Sequence, residues 1–403
     1  MPDTGSNLST AFLDGMRGLA ALYVLFHHAF LFLQPGYRYG YLKHPEQFGI
    51  FKTGVLTFSY VFKFGHSAVL FFFVLSGFVV HLRYAKKFAA GQHVPQIEWG
   101  MFLFRRARRL YPPLLFALLL TWALDSLGYS LGYSVYFQRT PYPVINANVF
   151  ADHHVSTLLG NAAFLMNSCV PVWGTDSPLW SLKYEWWFYV LYPACWFLLR
   201  RSVGLVTVVV GGLSAMTLFI PRNAPMPLLL DVLSAIFVWW LGALLAEVYV
   251  GRLRIAYWKI ALMTVLLPVA AIASSLGHEL PWPVWGLGFS GLIAACFAAQ
   301  ERGWSLSLLE RLRPLGDCSY TLYVIHAPIV MLISGWLMSR SPTGELPTNP
   351  AWTLCVLGII PLAYVAHLLV ERPFLRPQPR ASLSVAPQLI PTGIGAMNEP
   401  SPA

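Results

Sequence analysis

The chain has 403 residues, of which 57% are hydrophobic, 15% aromatic and only 11% charged, with a formal net charge of +10 and a mean hydropathy of +0.58. Soluble domains carry roughly 25% charged residues, so a chain this long with so few has too little polar surface to face water on every side. The basic excess lies in short loops between apolar runs and not in one patch, which argues against nucleic acid as a partner and for the lipid bilayer.

A hydrocarbon core about 30 Å thick needs around 20 apolar residues per helix. Runs of that kind lie near 13–34, 65–84, 111–130, 179–200, 203–220, 228–250, 258–276, 283–300, 318–339 and 352–372. They predict an all-α polytopic bundle of about ten transmembrane helices, with a short re-entrant or interfacial helix at 157–170. A closed β-barrel needs alternating segments, and runs such as Val203–Ile220 do not alternate. No internal repeat of the secondary-transporter kind is evident.

Orientation follows the basic residues. The segment 83–109 holds Arg83, Lys86, Lys87, Arg105, Arg106, Arg108 and Arg109. Placing it in the cytoplasm places Arg200–Arg201, Arg252, Arg311 and Arg372–Arg380 there too, so both termini are expected inside. The 35–64 connection, with Arg38, Lys43, Lys52 and Lys63, is the exception. The first ten residues lack the basic start of a cleavable signal. Residues 377–403, rich in Pro, Ser, Ala and Gly, read as a disordered cytoplasmic tail behind a transmembrane domain of residues 1–376. The five cysteines include no C-x-x-C pair, so neither a disulfide framework nor a metal site is expected. Four of them (Cys195, Cys296, Cys318 and Cys355) fall in apolar segments, as small buried hydrophobes do.

Ionisable residues inside spans are expensive and mark function by default. The first helix carries Asp14, Arg17, His27 and His28. At about 100° per residue, the eleven-residue step from Arg17 to His28 leaves them about 20° apart around the helix and about 16 Å apart along it. Asp14 falls beside Arg17 as a pairing partner, and His27 points about 100° away. A neutral imidazole near pH 7 is well suited to take a proton from a hydroxyl. At the expected mouth of the third span, Arg106 and Arg109 share a helix face, where a guanidinium pair can clamp phosphate. An ordinary topology signal explains such a run equally well.

Further along, Ser177 and Pro178 read as an N-cap and first helical residue. Ser181 and Glu185 then lie on one face, while Lys183 points elsewhere to snorkel. Tyr320, Tyr323 and His326 form a stripe at three-residue spacing, and Glu371 closes the last helix at its cytoplasmic edge.

Taken in order, LDGMRGLAALYVLFHH at 13–28, FFFVLSGFVV at 71–80, FRRARRLYP at 104–112, WSLKYEWWFY at 180–189, SYTLYVIHAP at 319–328 and ERP at 371–373 resemble the acyltransferase-3 family of membrane O-acyltransferases. The resemblance implies transfer of an acyl group, acetyl by default, from acyl-CoA as co-substrate to a hydroxyl of a membrane-associated carbohydrate, at the cell inner (plasma) membrane and with no bound cofactor. The family's Arg-x10-His element falls on Arg17 and His28, its paired arginines on Arg106 and Arg109, and its W-S-L glutamate on Glu185. His28 is then the general base or first acyl acceptor, and Arg17 offsets charge on the thioester carbonyl. The arginine pair holds CoA, and Glu185 approaches from the external side. Asp14, Ser181, Tyr323 and His326 fill out the substrate network. Trp186 and Trp187 replace residues that are polar in many members, which implies an acceptor pocket that is more apolar or differently shaped. The short tail implies a form without an SGNH hydrolase-like domain. The rival readings are a polytopic transporter and an acyl-group flippase.

Overall fold

The structure is a computed structural model that describes residues 8–90, 98–149, 152–199, 202–221 and 225–375; the expected tail at 377–403, with Arg200, Arg201, Arg222, Arg376 and Arg380, lies outside the described residues. In chain order the helices are α1 (Phe12–Leu33), α2 (Ile50–Ser59), α3 (Gly65–Ala89), α4 (Trp99–Ser130), α5 (Pro143–Ala147), α6 (Val155–Ala162), α7 (Leu182–Leu199), α8 (Val203–Met216) and α9 (Pro227–Tyr249). Then follow α10 (Tyr257–Ala261), α11 (Leu266–Ser275), α12 (Trp282–Glu301), α13 (Ser307–Arg311), α14 (Arg313–Asp317), α15 (Ser319–Ser339) and α16 (Ile359–Ala366). Among the described residues the only extended pairing is an isolated bridge between Met166 and Val170.

Eight helical segments are long and apolar enough to cross a membrane: Phe12–Tyr41, Ile50–Ala89, Trp99–Ser130, Pro227–Tyr249, Tyr257–Ser275, Trp282–Glu301, Ser319–Ser339 and Pro350–Phe374. The other two expected spans are also helical. One is α7, 18 residues long and carrying Lys183 and Glu185 in its first turn, and the other is the shorter Val203–Phe219. Of the expected helix at 157–170, only Val155–Ala162 forms.

One boundary differs usefully. The third span does not start at 111 but at Trp99, and it runs through Pro112 and Pro113 for 32 residues. Those prolines remove the N–H groups that would bond the carbonyls of Arg108 and Arg109. The next carbonyl, Leu110, accepts from the Tyr320 hydroxyl at 3.0 Å. The arginine cluster therefore lies within the helix and not in a loop before it.

Two seams organise the bundle. Along α1 and α15, which run side by side in the same direction, Arg17 meets Gly316, His28 meets His326, and Ser334 donates to the Phe32 carbonyl. Where α3 crosses α9, glycines let the backbones touch: a Cβ on Gly77 would lie 1.9 Å from the Trp239 carbonyl oxygen, and one on Gly242 1.8 Å from that of Val74. Close backbone approach of this kind is how helices associate in lipid. Beside this crossing His81 and Glu247, both fully buried, pair at 2.6 Å.

Two side chains depart from their sequence-based placement. Lys183 does not snorkel; it is buried, 2.6 Å from both Asp231 and Ser168. Burying an ammonium is tolerable only because a carboxylate and a hydroxyl meet it. Cys355 is exposed and Cys296 partly so, leaving Cys195 and Cys318 as the buried pair.

Gly242→Ala is expected to cost about 1–3 kcal/mol or more by forcing the α3–α9 crossing apart, read as a lower melting temperature in detergent. Gly212→Ala on α8, where an added Cβ meets nothing within 4 Å, is the matched control and should leave the melting temperature unchanged or raised.

Candidate functional site

Two cavities lie back to back inside the bundle. The first, about 90 Å³, is lined by Arg17 from α1, Arg106 and Arg109 from α4, Ser181 and Glu185 at the start of α7, and Tyr320 and Tyr323 from α15. Arg17 donates to the Gly316 carbonyl from Nε at 3.1 Å and Nη2 at 2.7 Å, with Asp14 at 3.5 Å as its salt-bridge partner. That reach depends on Gly316 being bare, because a Cβ there would lie 2.0 Å from the Asp14 carbonyl oxygen. Arg106 lies over the rings of Phe102 and Tyr189 at 5.4 and 5.2 Å. The Tyr189 hydroxyl donates to Glu185.

Neither Arg106 nor Arg109 makes a hydrogen bond or ion pair within the described residues, although both border the cavity. A guanidinium offers five N–H donors and cannot be deprotonated. Two of them beside one cavity, with no hydrogen-bonding partner among the described residues, are a candidate anion site. Glu371, whose charge reaches Arg17 and Arg109, is not an ordinary helix end: it is buried and accepts from Thr321 at 2.7 Å, with His367 at 2.8 Å.

The second cavity, about 320 Å³, is lined by His27 and His28 from α1, His66 from α3, Asn148, Trp180 and Tyr323, among others. His28 Nδ1 lies 3.0 Å from the Val24 carbonyl and 3.0 Å from Nε2 of His326. His326 is itself buried, with Nδ1 2.8 Å from the Tyr323 carbonyl and 3.1 Å from that of Leu322. Carbonyl oxygens only accept, so both Nδ1 atoms carry the proton when the rings are neutral. His326 Nε2 is then an acceptor, and His28 Nε2 keeps its lone pair and has no hydrogen bond among the described residues. Geometry thus fixes the tautomer that a general base requires.

Val69 and Tyr323 line both cavities and form the partition between them. The Tyr323 hydroxyl lies 2.7 Å from Ser181 Oγ and donates to the Pro178 carbonyl at 3.0 Å. Arg17 and His28 both face the α14–α15 side, in line with the 20° wheel offset. They do not share a cavity, because the axial separation puts Arg17 with the arginine pair and His28 beyond the partition. His27 lines the same cavity as His28, its ring centroid 4.9 Å away, despite the wheel angle. Glu185 shares the arginine cavity instead of lying opposite it. Trp186 and Trp187 line neither cavity; they pack on Phe164, Trp186 by stacking and Trp187 by donating to its carbonyl.

Ser177 does not cap a helix. Residues 177–181 form a 3-10 turn without a side-chain cap, entered from Asp176. A carboxyl pair missed in the sequence anchors this turn. Asp125 on α4 accepts from Thr175 Oγ1 at 2.6 Å and Thr175 N at 3.0 Å, and His153 Nε2 lies 3.1 Å away. Asp176 is fully buried nearby, with both oxygens outside hydrogen-bonding geometry among the described residues. Only the Asp and Ser enrichment of a loop pointed to it, which is too common to single out. His66, stacked on Trp180 at 4.2 Å, had no spacing partner in the sequence. Among the described residues no group of three or more His, Cys, Asp or Glu is placed to hold a metal ion.

Burial first, and then the Asp125 carboxylate, pushes the Asp176 carboxyl well above its ordinary value. A raised acid favours the fold while protonated, and that stability is lost as pH rises through the folded-state value. Asp176→Asn, a neutral isostere, should therefore flatten the fall in melting temperature expected of the native protein as pH rises above the ordinary carboxylate range. Equal slopes for the two proteins would show that the carboxyl is not held neutral.

A family model described as an acyltransferase domain matches residues 10–368. No curated protein and no solved structure matches the chain. The match takes in every helix that borders the two cavities, from α1 to α15, and so joins an unpaired arginine site to a tautomer-fixed histidine within one domain. On that match the chain belongs to the acyltransferase-3 family and is a multi-pass membrane acyltransferase.

Proposed function

We propose that the protein transfers an acyl group, by default acetyl, from acyl-CoA to a hydroxyl of a cell-surface or lipid-linked carbohydrate at the plasma membrane. The observation that carries this reading is the pair of abutting cavities: unpaired guanidiniums border one, and an imidazole with a free lone pair borders the other. The arginine end of the bundle also bears Arg83, Lys86, Lys87, Arg105 and Arg108, which supports a cytoplasmic donor side.

The arginine cavity holds only about 90 Å³, room for a thin chain and not for a nucleotide. Arg106 and Arg109 therefore hold the CoA phosphates at its mouth. The pantetheine arm passes between Val69 and Tyr323 and brings the thioester to the histidine cavity. Arg17, about 16 Å from His28 along α1, belongs with the donor's anionic end and is too far to stabilise an oxyanion at His28. Glu185 completes the lining of the donor cavity. On the far side, His28 Nε2 takes the proton of the acceptor hydroxyl as its oxygen attacks the thioester carbonyl. The C–O bond forms and the C–S bond breaks. The CoA thiolate recovers the proton from the imidazolium and leaves as the neutral thiol. His326 accepts from His28 Nδ1 throughout and supports the positive charge that forms on the ring.

In nanodiscs with labelled acetyl-CoA and de-esterified surface polysaccharide, His28→Ala protein that inserts and folds normally should lose transfer by at least about 100-fold. A native rate in that variant removes His28 from the chemistry. Arg106→Ala and Arg109→Ala should instead raise the KM for acetyl-CoA, each about tenfold or more, as loss of a charge-assisted contact does. Val69→Phe tests the passage. It should abolish transfer while CoA binding, measured by calorimetry, persists; undiminished transfer would show that the acyl group takes another route.

A further inference from the structure

A third cavity, about 410 Å³, opens between residues 35–47 and 336–352. Its place in the bundle is set by α1 and α15 running in parallel. Along that seam Arg17 and Tyr320 border the first cavity, His28 and Tyr323 the second, and Pro35 and Trp336 the third. The third therefore lies beyond the histidines on the side away from the arginines. Its offset is about 10 Å from His28 to Pro35 and about 15 Å from His326 to Trp336.

Its walls are rings and planar polar groups. Trp336 and Trp352 stand edge to face with centroids 5.7 Å apart, and Tyr39 meets Tyr142 edge to face at 5.8 Å. The Arg340 guanidinium lies 5.7 Å from the Trp336 centroid and has no hydrogen bond or ion pair among the described residues. Gln47 accepts a long bond from Thr348 at 3.4 Å, and its amide N–H groups have no partner there. Glu345, by contrast, is taken: Lys43 lies at 2.5 Å and His44 at 3.2 Å. The lysine holds its carboxyl below the usual range.

A lipid tail would leave the Arg340 and Gln47 donors unmet, and a polyphosphate would face Glu345 with few cations to offset it. A sugar fits both features, because its C–H face packs on an aromatic ring while the hydroxyls on its rim need side-on donors and acceptors. The geometry points to this cavity as a glycan subsite that holds saccharide units remote from the hydroxyl being acylated. The inference rests on the carbohydrate-acceptor reading above. Binding of remote units then positions the reacting one at His28, and only an extended acceptor spans both cavities.

The test uses full-length protein in nanodiscs and two probes: the cells' own surface polysaccharide stripped of esters by mild alkali, and the mono- and disaccharides made from it by acid hydrolysis. Native protein should show a KM for the intact polymer at least about tenfold below that for the fragments, a preference that Trp352→Ala and Arg340→Ala each erase by raising the polymer KM about tenfold with kcat nearly constant. Trp352→Phe, which keeps a ring, should recover much of the loss. An unchanged polymer KM in both truncations overturns the subsite and leaves the acyltransfer reading intact. If native protein transfers nothing to any saccharide, that reading fails, and calorimetric binding of the polymer decides the subsite alone. Binding weakened by Trp352→Ala supports it, and absent or unweakened binding refutes it.

Discussion

Hydrocarbon solvates neither a charge nor a bare N–H, so each polar side chain in this chain must find a partner or a cavity within the bundle. The contact between α1 and the α14–α15 segment is where that requirement is met most densely. Bare glycines at 18 and 316 let the two backbones approach. The Gly316 carbonyl takes Arg17, and one and a half dozen residues of parallel helix later Ser334 caps the Phe32 carbonyl. Between them His326 meets His28. Remove the close approach and the arginine, the histidine pair and the partition at Tyr323 lose their common frame.

That frame also holds the two cavities apart. A water-filled tunnel through the bundle would leak protons and solutes. A partition made of one small aliphatic side chain and one tyrosine, tied by its hydroxyl to Ser181 and Pro178, separates the two cavities instead. Among the described residues His28 has no carboxylate behind it; a second imidazole and a backbone carbonyl settle which of its nitrogens carries hydrogen. Neutral partners also avoid burying a formal charge at that depth.

Much of this was legible from residue spacing. The ten apolar runs appear as helices at the expected positions, and the faces shared by Arg106 with Arg109 and by Ser181 with Glu185 follow from helical periodicity. What the sequence hid was tertiary. Wheel geometry treats a helix as isolated, so it turned His27 away from a cavity that in fact wraps around both adjacent histidines. It placed Arg17 and His28 on one face without revealing the wall between them. The apolar run began at 111, past the charged cluster, whereas the helix starts at Trp99 and carries that cluster in its own first turns. Lys183 and Glu371 looked like edge residues because their partners, Asp231 and Thr321, are distant in the chain.

The uninterrupted course of α4 has a mechanical corollary. One helix carries Arg106 and Arg109 in its first half and Asp125 near its end, and Asp125 grips Thr175, two residues before the turn that borders the histidine cavity. A push on that turn is thus borne by the same helix that carries the arginines, over the rise of about 24 Å from Arg109 to Asp125. The two cavities are linked by this strut as well as by the wall they share.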